Sequence, residues 1–199
     1  MKTIYGGLFV LFTIFVFSLM SCSQQEMKQK PTEAELIARG KYLVTFGGCN
    51  DCHTPKIFND KGMMSLDTTR LLSGCPSDTK LVDFDPKIVA PGKLVVANDD
   101  ATAWAGPWGM SYSANLTPDK ATGIGELSEE MFIKTLREGK FMGVGRPLLP
   151  PMPWDGIGQA SDEDLSAIYH YLKSLPPISN KVPDPVSPPD MMKNMSMKK

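Results

Sequence analysis

Apolar residues recur at helical spacing in three stretches of the chain. In the first, Leu36, Ile37, Gly40, Leu43 and Val44 share one face of a helix. Thr32 and Glu35 stand at the spacing of a capping box, and Gly47-Gly48 supplies a stop after Phe46. A glycine inside a helix costs about 1 kcal/mol against alanine, so Gly40 is expected where another helix crosses closely. The second stretch runs from Ser128, an N-cap, to Glu138, with Phe132, Ile133 and Leu136 apolar and Gly139 as the stop. The third runs from Ser161 to Leu175. Its first turn holds Asp162, Glu163 and Asp164; Leu165, Ile168, Leu172 and Leu175 make one face, and Pro176-Pro177 ends it.

Elsewhere the pattern changes. The stretches Lys93–Asp99 and Trp108–Leu116 read as short strands that could pair antiparallel. At the start of the chain, Lys2 precedes an apolar run from Leu8 to Leu19, too short for a comfortable membrane span and suited to the core of a secretory signal. Its end, Leu19-Met20-Ser21-Cys22, resembles a bacterial lipobox, in which Cys22 is lipidated. The boundaries expected are a signal peptide at 1–21, a polar tether at 22–31, a folded domain at 32–178 and a disordered Pro/Met-rich tail at 179–199. The domain is thus expected to be exported, and held at a membrane surface by lipid rather than spanning it. The formal net charge of −1 argues against a nucleic-acid partner.

The four cysteines do not pair off as two disulfides. Cys22 lies at the signal boundary, Cys75 stands alone, and Cys49 and Cys52 form "CNDCH" with His53. C-x-x-C-H is the attachment motif of c-type haem. Two thiols two residues apart can add to adjacent vinyl groups, and the following imidazole then meets the iron as the proximal ligand. A thioredoxin-like pair would follow a strand, whereas this motif follows a helical pattern. A zinc site would need more ligands than two histidines supply. The expected cofactor is one covalent haem c, held by Cys49 and Cys52, with His53 on the iron.

A second axial ligand must come from the opposite face. In "LPPMPWDG", Pro150, Pro151 and Pro153 restrict the backbone around Met152 and reduce the entropy lost on fixing it. Its soft thioether would favour Fe(II) and occupy the sixth position. Met142, in a Gly-rich turn, is the main alternative; Met63, Met64, Met110 and Met131 suit surface or core packing better. His170, between Tyr169 and Tyr171, lies off the apolar face of its helix and reads as solvent-facing. Arg146 and Trp154 are candidates to meet haem propionates, the first through its guanidinium and the second through its indole N–H. Clustered thioethers at Met191, Met192, Met195 and Met197 can bind Cu(I), but disorder without a site is the simpler expectation.

A glycine-bearing helix, "CNDCH", a late methionine loop and "AIYHYLKSLPP" together resemble class I c-type cytochromes. "GPWGMSYSANLTPDKATGIG" and "GVGRPLLPPMPW" are similar to exported, enlarged members, some of which serve membrane-associated dehydrogenases. The resemblance covers Thr32 to Val182 and implies an all-α, cytochrome c-like domain around one haem. An irregular, short-β segment would be inserted at about residues 54–112. It implies that Gly40 and Val44 cross the C-terminal helix near Ile168 and Tyr171. In such sequences a histidine is expected where this chain has Cys75, and that thiol is read as a small, partly buried residue without a role. The function expected is one-electron carriage at a membrane surface between donor and acceptor proteins, with no substrate chemistry of its own. The alternatives are a peroxidase-like haem enzyme with an open distal side, or the electron-accepting cytochrome subunit of a dehydrogenase complex.

Overall fold

Helix α1, Glu33–Phe46, starts where the capping box places it. Thr32 Oγ1 accepts from the Glu35 amide at 3.3 Å, and Glu35 Oε2 accepts from the Thr32 amide at 2.8 Å. A computed structural model describes residues 30–79 and 84–196. The expected signal peptide, most of the tether and the lipidation candidate Cys22 lie outside the described residues.

The face of α1 that carries Gly40 and Val44 is buried against α5, Asp162–Ser174. A Cβ on Gly40 would stand 1.9 Å from the Ala167 carbonyl oxygen and 2.7 Å from Tyr171 Cβ. The two backbones touch there, which only glycine permits. The closest approach is thus at Ala167 and Tyr171, and Ile168 packs at the edge of the core. Helix α3, Glu129–Glu138, brings Phe132 and Leu136 to the same core, where they join Val44, Leu72, Leu165 and Leu172. Fully burying one such side chain contributes about 1.5–3 kcal/mol, so this cluster outweighs the exposed ion pairs Arg39–Asp164 and Arg137–Asp162 around it. Ser128 and Ser161 cap α3 and α5 through their hydroxyls.

Among the described residues, five strands lie between Lys56 and Tyr112. β1 (Lys56–Phe58) and β2 (Met64–Leu66) form an exposed hairpin. β3 (Val96–Ala97), β4 (Ala103–Gly106) and β5 (Gly109–Tyr112) form an antiparallel sheet in the order β3-β4-β5. The two stretches expected as strands do not pair with each other. β4 lies between them, and its sequence Ala-Trp-Ala-Gly carries too few bulky apolar residues to show an alternating pattern.

The C-terminal segment differs from the disordered tail expected at 179–199. Asn180 Nδ2 donates to the carbonyls of Ser73 (2.7 Å) and Cys75 (2.9 Å), and its Oδ1 accepts from the Ser77 amide at 3.0 Å. Val186 exchanges both backbone hydrogen bonds with Met110. Helix α6, Pro188–Ser196, then buries Met191 against Val89, Ala105 and Met110. The prolines that suggested disorder instead lower the entropy lost when an extended strap is laid down. One asparagine then satisfies three backbone groups that would otherwise be left unpaired. Among the described residues, no helix is long and apolar enough to cross a membrane.

Candidate functional site

Cys49–His53 forms a single helical turn, α2, entered through Gly48 at φ +67°. The positive φ lets the chain reverse from α1 into α2 within two residues. Thr54, fully buried, locks the other end. Its hydroxyl donates to Asn50 Oδ1 at 2.9 Å and accepts from the Leu72 amide at 2.9 Å. The His53 carbonyl accepts from the Gly74 amide at 2.8 Å.

The His53 ring is 8% exposed, and its Nδ1 lies 2.8 Å from the Ala114 carbonyl oxygen. A carbonyl can only accept, so Nδ1 carries the proton and Nε2 presents its lone pair. Burial pushes the His53 imidazole below its ordinary value, against the opposing pull of the Ala114 hydrogen bond. The ring is therefore neutral at pH 7, the form that binds a metal. Gly74, at φ +79°, completes this arrangement: a Cβ there would stand 2.7 Å from Ala114 O and 2.5 Å from Ser113 O. Beside Ala114, the Asn115 amide donates to the Ile178 carbonyl at 2.8 Å and to Thr122 Oγ1 at 3.1 Å. Its Oδ1 accepts from the Thr117 amide and hydroxyl.

Cys49 and Cys52 are half-buried and free of any disulfide. Burial, the largest influence on each, pushes both thiols above the usual range, and Lys56 opposes this only at Cys52. A thiol-exchange centre needs the opposite shift. Among the described residues there is no group of three or more His, Cys, Asp or Glu placed to hold a metal ion.

Cys49 and Met152 pack against the same apolar cluster, although they are distant in sequence. Met152 is half-buried, and its amide donates to the Leu149 carbonyl at 3.3 Å. The Ser111 hydroxyl donates to the Pro150 carbonyl at 2.6 Å and accepts from Trp108 Nε1 at 3.2 Å. Met142 stands at φ +53° in a surface turn, 41% exposed. Met63 and Met64 are exposed on the β1–β2 hairpin, and Met110 is buried in the separate cluster around Met191. Met131, expected to serve packing, lies at the surface of α3. His170 faces carboxylates, with Nδ1 2.8 Å from Glu33 Oε2 and Nε2 3.5 Å from Glu129 Oε2.

Arg146 lies with its guanidinium over the Phe141 ring, at 5.1 Å, and donates to the Pro147 carbonyl at 3.2 Å. Trp154 opens the short helix α4, Trp154–Ile157, and its ring packs against Gly139, where a Cβ would be 2.4 Å from it. Cys75 is fully rather than partly buried, with its Sγ 3.4 Å from Thr79 Oγ1. Taken together, two thiols and a neutral imidazole on one turn, with a thioether on the same apolar wall, suit a covalently held haem.

Gly74, Ser111, Ala114 and Asn180 also shape the site, and none of them is marked by a motif in the sequence. Ala114 acts through a backbone oxygen, which leaves no side-chain signal, and Ser111 and Asn180 act on carbonyls distant in the chain.

No protein-family model matches the chain. It is 33% identical over 136 residues to the gluconate 2-dehydrogenase cytochrome c subunit of Pantoea cypripedii, covering 68% of this chain and 22% of that protein. It is 28% identical over 162 residues to the fructose dehydrogenase cytochrome subunit of Gluconobacter japonicus, covering 80% and 26%. It is also 28% identical over 169 residues to the cytochrome c subunit of the quinone-dependent alcohol dehydrogenase of Gluconobacter oxydans, covering 83% and 27%. The chain thus spans less than a third of the length of these relatives. The matches support a cytochrome c-type protein with a role in electron transfer.

Proposed function

We propose that this chain is an exported electron carrier holding one covalent haem c, with His53 and Met152 as axial ligands. We propose further that it serves a membrane-associated dehydrogenase as its cytochrome subunit or redox partner, anchored through lipid on Cys22. The observation that supports this reading best is the His53 ring, buried, neutral and oriented through Nδ1 so that Nε2 is left for a metal. The relatives that are cytochrome subunits of dehydrogenases point the same way.

Bound haem c supplies a reversible one-electron Fe(III)/Fe(II) couple. Cys49 and Cys52 would hold it through thioethers, which cellular reductants do not cleave. Ala114 fixes the His53 tautomer and raises the basicity of Nε2. Met152 would fill the sixth position, favour Fe(II) and keep oxygen off the iron. Leu116, Ile133 and Ile157, which pack against the same core cluster as Met152 and Cys49, would limit access of water. Arg146 and Trp154 are the proposed contacts of the propionates.

The test is expression with haem-attachment machinery. Wild type should retain haem on a denaturing gel, and Cys49→Ala/Cys52→Ala should not. Ferric Met152→Ala should lose the long-wavelength iron–thioether band, and its reduced form should bind carbon monoxide readily. A colourless wild-type protein overturns the reading. An intact band in Met152→Ala removes Met152 and passes the question to Met142→Ala.

A further inference from the structure

Between Leu149 and Met152 stand Pro150 and Pro151, which have no amide N–H, so this stretch has amide donors only at its two ends. The Met152 amide is spent locally on Leu149. Among the described residues, one hydrogen bond ties this stretch to a distant part of the chain, from Ser111 Oγ to the Pro150 carbonyl. Ser111 is itself well fixed. It is 8% exposed, sits on β5 opposite Trp104, and accepts from the indole of Trp108. Three residues further on, Ala114 offers the carbonyl that accepts from His53. Between them, Ser113 is held on both sides: its amide donates to Thr102 O and its carbonyl accepts from the Cys75 amide, each at 2.8 Å.

We propose that the run Ser111–Ala114 braces the two ligand carriers against each other, with Ser111 as a positioning residue for Met152. The inference rests on Met152 being the sixth ligand. One short, hydrogen-bonded stretch then holds the imidazole by a carbonyl and the methionine loop by a hydroxyl. Loss of the hydroxyl frees the loop to swing away while leaving His53 in place. Removing one such hydrogen bond is worth about a fivefold change in the population of the open loop.

Carbon monoxide reports that population, because it binds ferrous iron only when the thioether has left. In the full haem-loaded protein, Ser111→Ala should bind carbon monoxide about fivefold faster than wild type. The pH at which its ferric thioether band disappears should fall. Ser111→Thr, which keeps the hydroxyl, should restore both. Ser128→Ala removes the cap of α3, far in sequence from the loop, and should lower thermal stability without changing the carbon monoxide rate. The brace is overturned if Ser111→Ala binds carbon monoxide at the wild-type rate while Met152→Ala has lost its band. An intact band in Met152→Ala overturns the ligand assignment and the brace with it. Should Ser111→Ala fail to fold, Ser111→Val decides: it has the shape of the Ser111→Thr variant without the hydroxyl, and a carbon monoxide rate equal to that of Ser111→Thr rejects the proposal.

Discussion

The two parts of the proposed haem site, around His53 and around Met152, are built differently. On the His53 side, a one-turn helix is held by bonds from the Leu72 and Gly74 amides to Thr54 and the His53 carbonyl, and by the bond from the His53 ring to the Ala114 carbonyl. Even Leu72, at the unfavourable φ of +57°, is kept there by two bonds: its amide donates to Thr54, and its carbonyl accepts from the Leu116 amide. On the Met152 side, proline restricts the chain, and among the described residues a single long-range bond, from Ser111, holds residues 149–152. The first side is fixed by contacts, the second by limiting what the unfolded chain can do. Removing one contact from the first should therefore cost stability without releasing the proposed ligand, whereas the second should open while the protein stays folded.

Gly40→Val should blur this difference most, because α1 and α5 support both faces. Helix propensity would favour the substitution, but only by a few tenths of a kcal/mol to about 1 kcal/mol. The 1.9 Å contact with the Ala167 carbonyl cannot relax without parting the helices, at about 3 kcal/mol. Urea unfolding should show that loss together with weakened thioether absorption. Gly74→Ala should separate the two sides. It meets the Ser113 and Ala114 carbonyls at a positive φ and should cost about 2 kcal/mol by thermal unfolding. The thioether band should survive; its loss would mean that the Met152 side depends on the His53 side. Asn180→Ala should cost about 1–2 kcal/mol, since it strands carbonyls of the segment 73–75. If its unfolding midpoint equals that of wild type, the strap adds nothing to the His53 side.

The smallest effect concerns acid. Hydrogen bonds from Thr69 and then Arg70 hold the Asp67 carboxyl below the ordinary carboxylate range. The folded value lies below the unfolded one, so this stabilisation is present above about pH 4 and is lost as pH falls through the folded value. Asp67 caps the turn that leads into Leu71–Gly74. Asp67→Asn should destabilise by about 0.5–1 kcal/mol at pH 6 and by less at pH 3, measured by urea unfolding. An equal difference at both pH values would show that the carboxylate charge plays no part.

How much of this is legible in the sequence follows from the range of each interaction. The helices at 33–46, 129–138 and 162–174 are legible because caps, stops and apolar spacing are local. So are Cys49, Cys52 and His53 as a group, since one turn of helix carries all three. β4 is not legible, because Ala and Gly at its positions mute the alternation. The strap is hidden because its composition matches disorder, while the decisive partners of Asn180 and Met191 lie about a hundred residues earlier. Ser111 and Ala114 escape notice because their partners, Pro150 and His53, lie 39 and 61 residues away and the groups joined include backbone oxygens.

The crossing of Gly40 over Ala167 closes a loop that contains everything from α2 to the start of α5. The entropy of closing a flexible loop grows only with the logarithm of its length, so doubling it adds about 0.6 kcal/mol. That is less than one good hydrogen bond is worth. Chain added between His53 and α3 therefore imposes almost no thermodynamic load on the helix pair. A single well-placed hydroxyl or amide within the added length can offset it, which leaves this part of the fold free to vary in length while the ends that clasp it stay the same.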